Sequence, residues 1–96
     1  MFIISLTYKK PLKEIDKLIE SHIAFLDKYY ANNTFLLSGP KLPRTGGIII
    51  ARCESKSKLE EILTQDPFYH SQVASYEITQ MRVTKSTGEL NELIDS

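Results

Sequence analysis

The stretch PLKEIDKLIESHIAFLDKYY, residues 11–30, decides the fold. Its apolar residues Ile15, Leu18, Ile19, Ile23, Leu26, Tyr29 and Tyr30 recur at steps of three and four, the period of one helix face. Pro11 suits a first helical turn, where its missing N–H costs nothing. The spacing predicts a helix over 11–30, ended at Asn32-Asn33 because asparagine tolerates the left-handed conformation of a helix C-terminus. His22 sits in the middle of that face, one turn after Leu18 and one turn before Leu26. A titratable ring there is either a core histidine bonded to backbone or a general acid–base, since imidazole titrates near working pH.

Outward from this helix, strand patterns flank it. Phe2, Ile4, Leu6 and Tyr8 alternate with Ile3, Ser5 and Thr7, predicting a strand over 2–8. Phe35-Leu36-Leu37 forms the core of a short strand over 34–38, which Gly39-Pro40 stops. A loop rich in turn formers, residues 41–47, carries Lys41 and Arg44. The third strand, 48–53, opens with Ile48, Ile49, Ile50 and Ala51, apolar on both faces. Ser55 or Ser57 can cap a second helix, and Ser57 with Glu60 fits a capping box. Leu59, Ile62 and Leu63 give its buried stripe. Asp66-Pro67-Phe68 ends that helix and starts a single turn through His70. The fourth strand, 74–84, changes phase: Tyr76 and Ile78 face one side, Met81 and Val83 the other. That requires a bulge near Thr79–Gln80 or cover on both faces.

The order strand, helix, strand, strand, helix, strand is the split βαβ pattern of a ferredoxin-like α+β fold, with an antiparallel sheet and both helices on one face. The middle strands are apolar on both faces, and two helices cover only one. A large apolar face left in water is rare in monomers. A homodimer packed sheet to sheet is therefore expected. The domain spans residues 1–85; residues 86–96 form a polar tail, with Leu90, Leu93 and Ile94 at the spacing of a short docked helix.

Bulk composition narrows the function. Ninety-six residues make one domain. Twelve basic and twelve acidic residues cancel, so the basic excess of a nucleic-acid binder is missing and no nucleic-acid partner is expected. The single cysteine, Cys53, forms no intrachain disulfide and follows an apolar run, as a packed residue does. The first residues lack the charged and small-residue signals of a signal peptide, and no apolar run reaches membrane-spanning length. A cytoplasmic protein with no membrane association is the expectation.

A general-base histidine needs a partner that fixes its tautomer, usually a carboxylate. Asp66 is the best placed, since both helices lie on one face of the expected sheet. Asp before Pro is also a good helix N-cap, and one carboxylate can do both. Ser38, Gly39 and Pro40 are a turn signal, or a hydroxyl and backbone groups beside the site. Lys41 and Arg44 are a solvated loop, or cations that hold an anionic ligand. His70 follows Asp66 by four residues, a spacing two metal ligands can share, but no third ligand is evident and no metal is expected. Nucleophile elbow, phosphate loop and dinucleotide fingerprint are all absent.

Together, His22-Ile23-Ala24-Phe25-Leu26, Leu37-Ser38-Gly39-Pro40, Gly47-Ile48-Ile49-Ile50 and Asp66-Pro67-Phe68 before a last strand resemble the YciI-like (YCII-related domain) family over residues 1–85. The resemblance implies a ferredoxin-like fold of the dimeric α/β-barrel superfamily. It implies a His–Asp pair in a pocket, falling on His22 and Asp66, with Ser38, Gly39 and Pro40 lining it. It also implies small-molecule enzymes; superfamily relatives include isomerases, monooxygenases and lyases acting on small ring compounds. Family members commonly carry an arginine shortly before the helix histidine, where this chain has Lys17 and Glu20. The tail after Lys85 lies outside the pattern.

The resulting expectation is a homodimeric small-molecule enzyme doing cofactor-free proton transfer, of isomerase or lyase type, on a small ring compound. His22 and Asp66 are the catalytic pair, and Ser38, Gly39, Pro40, Arg44 and Phe68 bind substrate. The rival expectation is a non-catalytic homodimeric module that binds a small molecule or another protein, with His22 serving packing. A third, an accessory domain of a transcription regulator, has precedent at the level of fold only.

Overall fold

The computed structural model describes all residues, Met1–Ser96. Its central strand is β1 (Phe2–Tyr8), in which Phe2, Ile4 and Leu6 are buried at every second position. β1 pairs antiparallel with β3 (Gly46–Ala51) on one side and β4 (Ala74–Gln80) on the other. β2 (Phe35–Pro40) pairs antiparallel with β3, giving the order β2-β3-β1-β4. This is the ferredoxin-like α+β arrangement expected from the order of elements.

The helical segments are α1 (Leu12–Asp16), α2 (Ile19–Ala31), α3 (Lys56–Leu63) and α4 (Pro67–His70). Their buried residues Ile15, Phe25, Tyr29, Leu59, Ile62, Leu63 and Phe68 share one core with Phe2, Ile4, Leu6, Phe35, Ile49 and Ala51 of the sheet. The core thus sits between one sheet face and the helices. Ser55 caps α3, its hydroxyl accepting from Lys58 N at 3.1 Å, so the Ser57 capping box does not form.

The helix predicted over 11–30 is two helices. Leu18 N bonds Ile15 O at 3.0 Å, a three-residue turn that closes α1 before His22 N bonds Leu18 O at 2.9 Å. Pro11 precedes α1 rather than opening it, with an extended ψ of 152°. The end is as predicted: Asn33 has φ 64°, Thr34 N bonds Tyr29 O at 2.9 Å and Asn33 N bonds Tyr30 O at 3.0 Å. That pair of bonds is a Schellman closure. The predicted stripe is too wide for the core. Phe25 and Tyr29 are buried, whereas Ile23 is 49% exposed. Ile19, Ile23 and Leu26 face a cavity instead.

β2 continues through Pro40, two residues past the predicted stop, and its one irregularity is a bulge between Phe35 and Leu37. β4 ends at Gln80 in unbroken register, opposite Phe2. No bulge forms near Thr79–Gln80: the register with β1 is unbroken to Phe2 opposite Gln80, and one further bond, Met81 N to Met1 O at 2.8 Å, follows the strand. On the sheet face away from the helices, Ile3 lies across from Ile50, and Ser5 across from Ile48. β4 adds Ser75, Glu77 and Thr79 to that face. Its apolar part is therefore confined to β1, β3 and the 61% exposed Leu37 of β2. The tail forms a 3₁₀ helix, Gly88–Leu93, and Asp95 N returns to Val83 O at 2.7 Å. No helix is long and apolar enough to cross a membrane.

Gly46 starts β3 where the backbones crowd. A Cβ there would lie 1.7 Å from Leu6 O, a contact with main chain that cannot swing aside. Gly46→Ala should lower stability by about 1–3 kcal/mol or more, the range for forced overpacking, read from the urea midpoint.

Candidate active site

Asp66 is fully buried, and its carboxylate is the hub of the site. It caps α4, Oδ1 accepting from Phe68 N at 3.0 Å, with Pro67 as the first helical residue. The same Oδ1 accepts from His22 Nδ1–H at 2.8 Å. Oδ2 accepts from the Tyr76 hydroxyl at 2.5 Å. Capping and histidine contact therefore coexist, as the sequence allows, but on one oxygen; the other belongs to Tyr76. A buried carboxylate costs several kcal/mol unless donors surround it, and three do. Burial first, then the negative charge of Asp66, pushes the Tyr76 hydroxyl well above the usual tyrosine range. Tyr76 therefore keeps its proton and remains a donor.

The His22 ring is held in two ways. Nδ1 is tied to Asp66, and the ring stacks on Phe68 with centroids 4.0 Å apart and planes within 8°. Nε2 has no partner, yet no buried polar side-chain atom is left unpaired. Nε2 is therefore open to solvent, on a side chain only 12% exposed. His22 lines a cavity of about 210 Å³ between α2 and the β2–β3–β1 side of the sheet.

Ser38, Gly39, Pro40, Arg44 and Phe68 line the same cavity, so the structure brings the expected substrate-binding set together with His22. Asp66 stands behind the imidazole, off the wall. Ser38 Oγ shares a 2.5 Å hydrogen bond with the Tyr30 hydroxyl. Phe68 is 1% exposed and presents its ring under His22 rather than as a free surface. Arg44 Nη2 donates to Asp16 Oδ1 at 2.7 Å. Lys41 instead donates to Thr7 Oγ1 at 3.3 Å and is not on the wall. His70, in the last turn of α4, is exposed and reaches neither His22 nor the cavity.

The sequence reading misses Tyr76, Tyr30 and the apolar wall of Leu6, Tyr8, Ile19, Ile23 and Leu26. A signal for Tyr76 exists. It shares the inner face of β4 with Ile78, and a buried carboxylate beside that strand needs a donor from it.

Comparison with known proteins places the chain in a family. A sequence model of the YCII-related domain matches residues 1–82. The chain belongs to the YCII-related domain family. Among solved structures it is similar to 5-chloro-2-hydroxyhydroquinone dehydrochlorinase (TftG) from Burkholderia phenoliruptrix AC1100, in complex with 2,5-dihydroxybenzoquinone. The TM-score is 0.72 at 18% identity, covering 86% of this chain and 95% of that one. That likeness shows a shared fold. No curated protein is significantly similar in sequence.

Removing the Tyr76 hydroxyl leaves Asp66 Oδ2 buried without a donor. Tyr76→Phe should cost about 1–3 kcal/mol by urea denaturation, the range for orphaning a buried acceptor.

Proposed function

We propose that this family member is a small-molecule enzyme in which His22 and Asp66 carry out cofactor-free proton transfer of isomerase or lyase type. The observation that carries the reading is the asymmetry of His22. One nitrogen is tied to a buried carboxylate, the other has no protein partner, and the residue lines a cavity. That is the arrangement a general base needs, because the carboxylate selects the tautomer with a free Nε2.

The cavity suits a small substrate. A cavity of about 150 Å³ holds benzene, so 210 Å³ admits one ring with a few substituents. The dehydrochlorinase of the same fold supports the choice of a ring compound. In the reaction, Nε2 takes a proton from a C–H or O–H of the substrate. The electron pair left behind moves into the ring system. It is then either reprotonated elsewhere, an isomerisation, or expels a leaving group, an elimination. The imidazolium sits against Asp66 throughout and returns its proton to substrate or water. The Ser38 hydroxyl and the backbone near Gly39, both on the cavity wall, polarise a substrate oxygen in this reading.

The same reading includes a homodimer through the outer sheet face, where Ile3, Ile48, Ile50 and Leu37 cluster. Covering about 400 Å² of apolar surface is worth about 10 kcal/mol before association costs. Sedimentation should give twice the protomer mass, and Ile50→Glu should give monomers; a monomeric native protein removes the dimer.

Activity is tested on a panel of hydroxylated and halogenated single-ring compounds, followed by absorbance and by solvent deuterium uptake. His22→Ala should lower kcat by about 10²–10⁴, the usual contribution of one acid–base group. Turnover that survives the substitution overturns the assignment.

A further inference from the structure

Arg44 carries the only fixed charge on the cavity wall, which is otherwise apolar or neutral apart from His22. A run of ring contacts joins the two. The Arg44 guanidinium lies 6.0 Å from the Tyr8 ring centroid. Tyr8 meets Phe68 edge to face at 6.0 Å, and Phe68 stacks on His22 at 4.0 Å. The cation and the base thus line one cavity and are linked through the contacts of two rings. A flat molecule in that cavity has both the guanidinium and the imidazole within its walls.

Arg44 is available for such a ligand. Its carboxylate partner is Asp16, through Nη2 alone, and the two side chains are 37% and 57% exposed. An exposed ion pair of this kind contributes little and is screened by salt. A guanidinium has five N–H donors in a fork that matches a carboxylate, so most of that capacity is unused by Asp16. A ligand carboxylate inside an apolar cavity competes on better terms than a solvated side chain, because less water screens it.

We propose that the substrate is a single-ring carboxylate, and that Arg44 leaves Asp16 to hold the carboxylate while the ring lies against Tyr8 and presents its acidic proton to His22. The proposal rests on the catalytic reading above and adds the substrate class and an ion-pair exchange at the entrance. Asp16 then acts as a competitor: it holds the guanidinium when the cavity is empty and is displaced when it is filled.

The test uses benzoate and its neutral counterpart benzamide, with binding followed by titration calorimetry and located by backbone amide shifts at Gly39 and Gly47. Native protein should bind benzoate at these positions and benzamide at least about tenfold more weakly, as expected for losing a charge-assisted bond. Arg44→Gln should remove the discrimination and leave benzamide binding unchanged. Asp16→Asn should tighten benzoate several-fold, whereas Asp27→Asn, the same charge change at an exposed site on α2, should not. All three positions are on the surface, and circular dichroism confirms that the variants are folded. Equal binding of the two probes, benzoate shifts that avoid Gly39 and Gly47, no benzoate binding, or equal effects of Asp16→Asn and Asp27→Asn each overturn the proposal. The two readings fail separately. Loss of discrimination with His22-dependent turnover intact removes only the substrate class. Discrimination without His22-dependent turnover leaves an anion site and removes the enzyme.

Discussion

Asp66 is a charge placed where water cannot reach it, and the protein is arranged to make that tolerable. Its three donors come from three different elements: His22 from α2, Phe68 N from α4 and Tyr76 from β4. Each bond therefore does two things. It offsets part of the desolvation of the carboxylate, and it fixes one element relative to the others. A merely structural carboxylate could have been replaced by a packed apolar residue at little cost, since buried ionic groups rarely outperform good packing. Its presence here has a consequence for the neighbouring ring, whose orientation it dictates.

The cavity exists because parts of two elements decline to fill it. On α2, Phe25 and Tyr29 turn into the core, while Ile23 and the half-buried Ile19 and Leu26 at the core's edge line the cavity. On the sheet, Gly39 and Gly47 line the cavity and bring no side chain into it. His22 lies between the two stripes, with Nδ1 bonded to the buried carboxylate while the residue lines the cavity. One helix thus serves core and cavity with different faces. That is why an apolar stripe spread over Ile15, Leu18, Ile19, Ile23, Leu26, Tyr29 and Tyr30 is wider than a core alone requires.

The fold was legible wherever a local rule decided it. Alternation over Phe2 to Tyr8 identifies the central strand, and Asn33 ends α2 because its backbone must turn left-handed. What local rules do not contain is where pairing stops. Residues 81–84 read as strand from their own pattern, yet the ladder with β1 stops at Gln80 opposite Phe2. The same holds in the site. His22 stood out because a titratable ring on an apolar stripe is anomalous by itself. Its bond to Asp66 spans 44 residues, and no spacing encodes it; it came from family resemblance and from placing both helices on one face. The Arg44–Asp16 pair is illegible for the same reason. Each is ordinary in its own element and acquires meaning only from what the fold brings opposite.

The kinds of donor around Asp66 matter as much as their number. A lysine or arginine at position 76 would also satisfy Oδ2, but it would neutralise the carboxylate before any proton moved. Tyrosine and a backbone N–H hydrogen-bond to the charge without cancelling it. Burial and the carboxylate itself push the Tyr76 hydroxyl up and keep it protonated, so it does not compete as an acid. The negative charge therefore remains to be felt by the imidazole. In the proposed reaction that charge is needed when His22 takes a proton and becomes positive. Two neutral donors let the site hold its carboxylate in a buried place and still leave it uncompensated for the one partner whose charge changes.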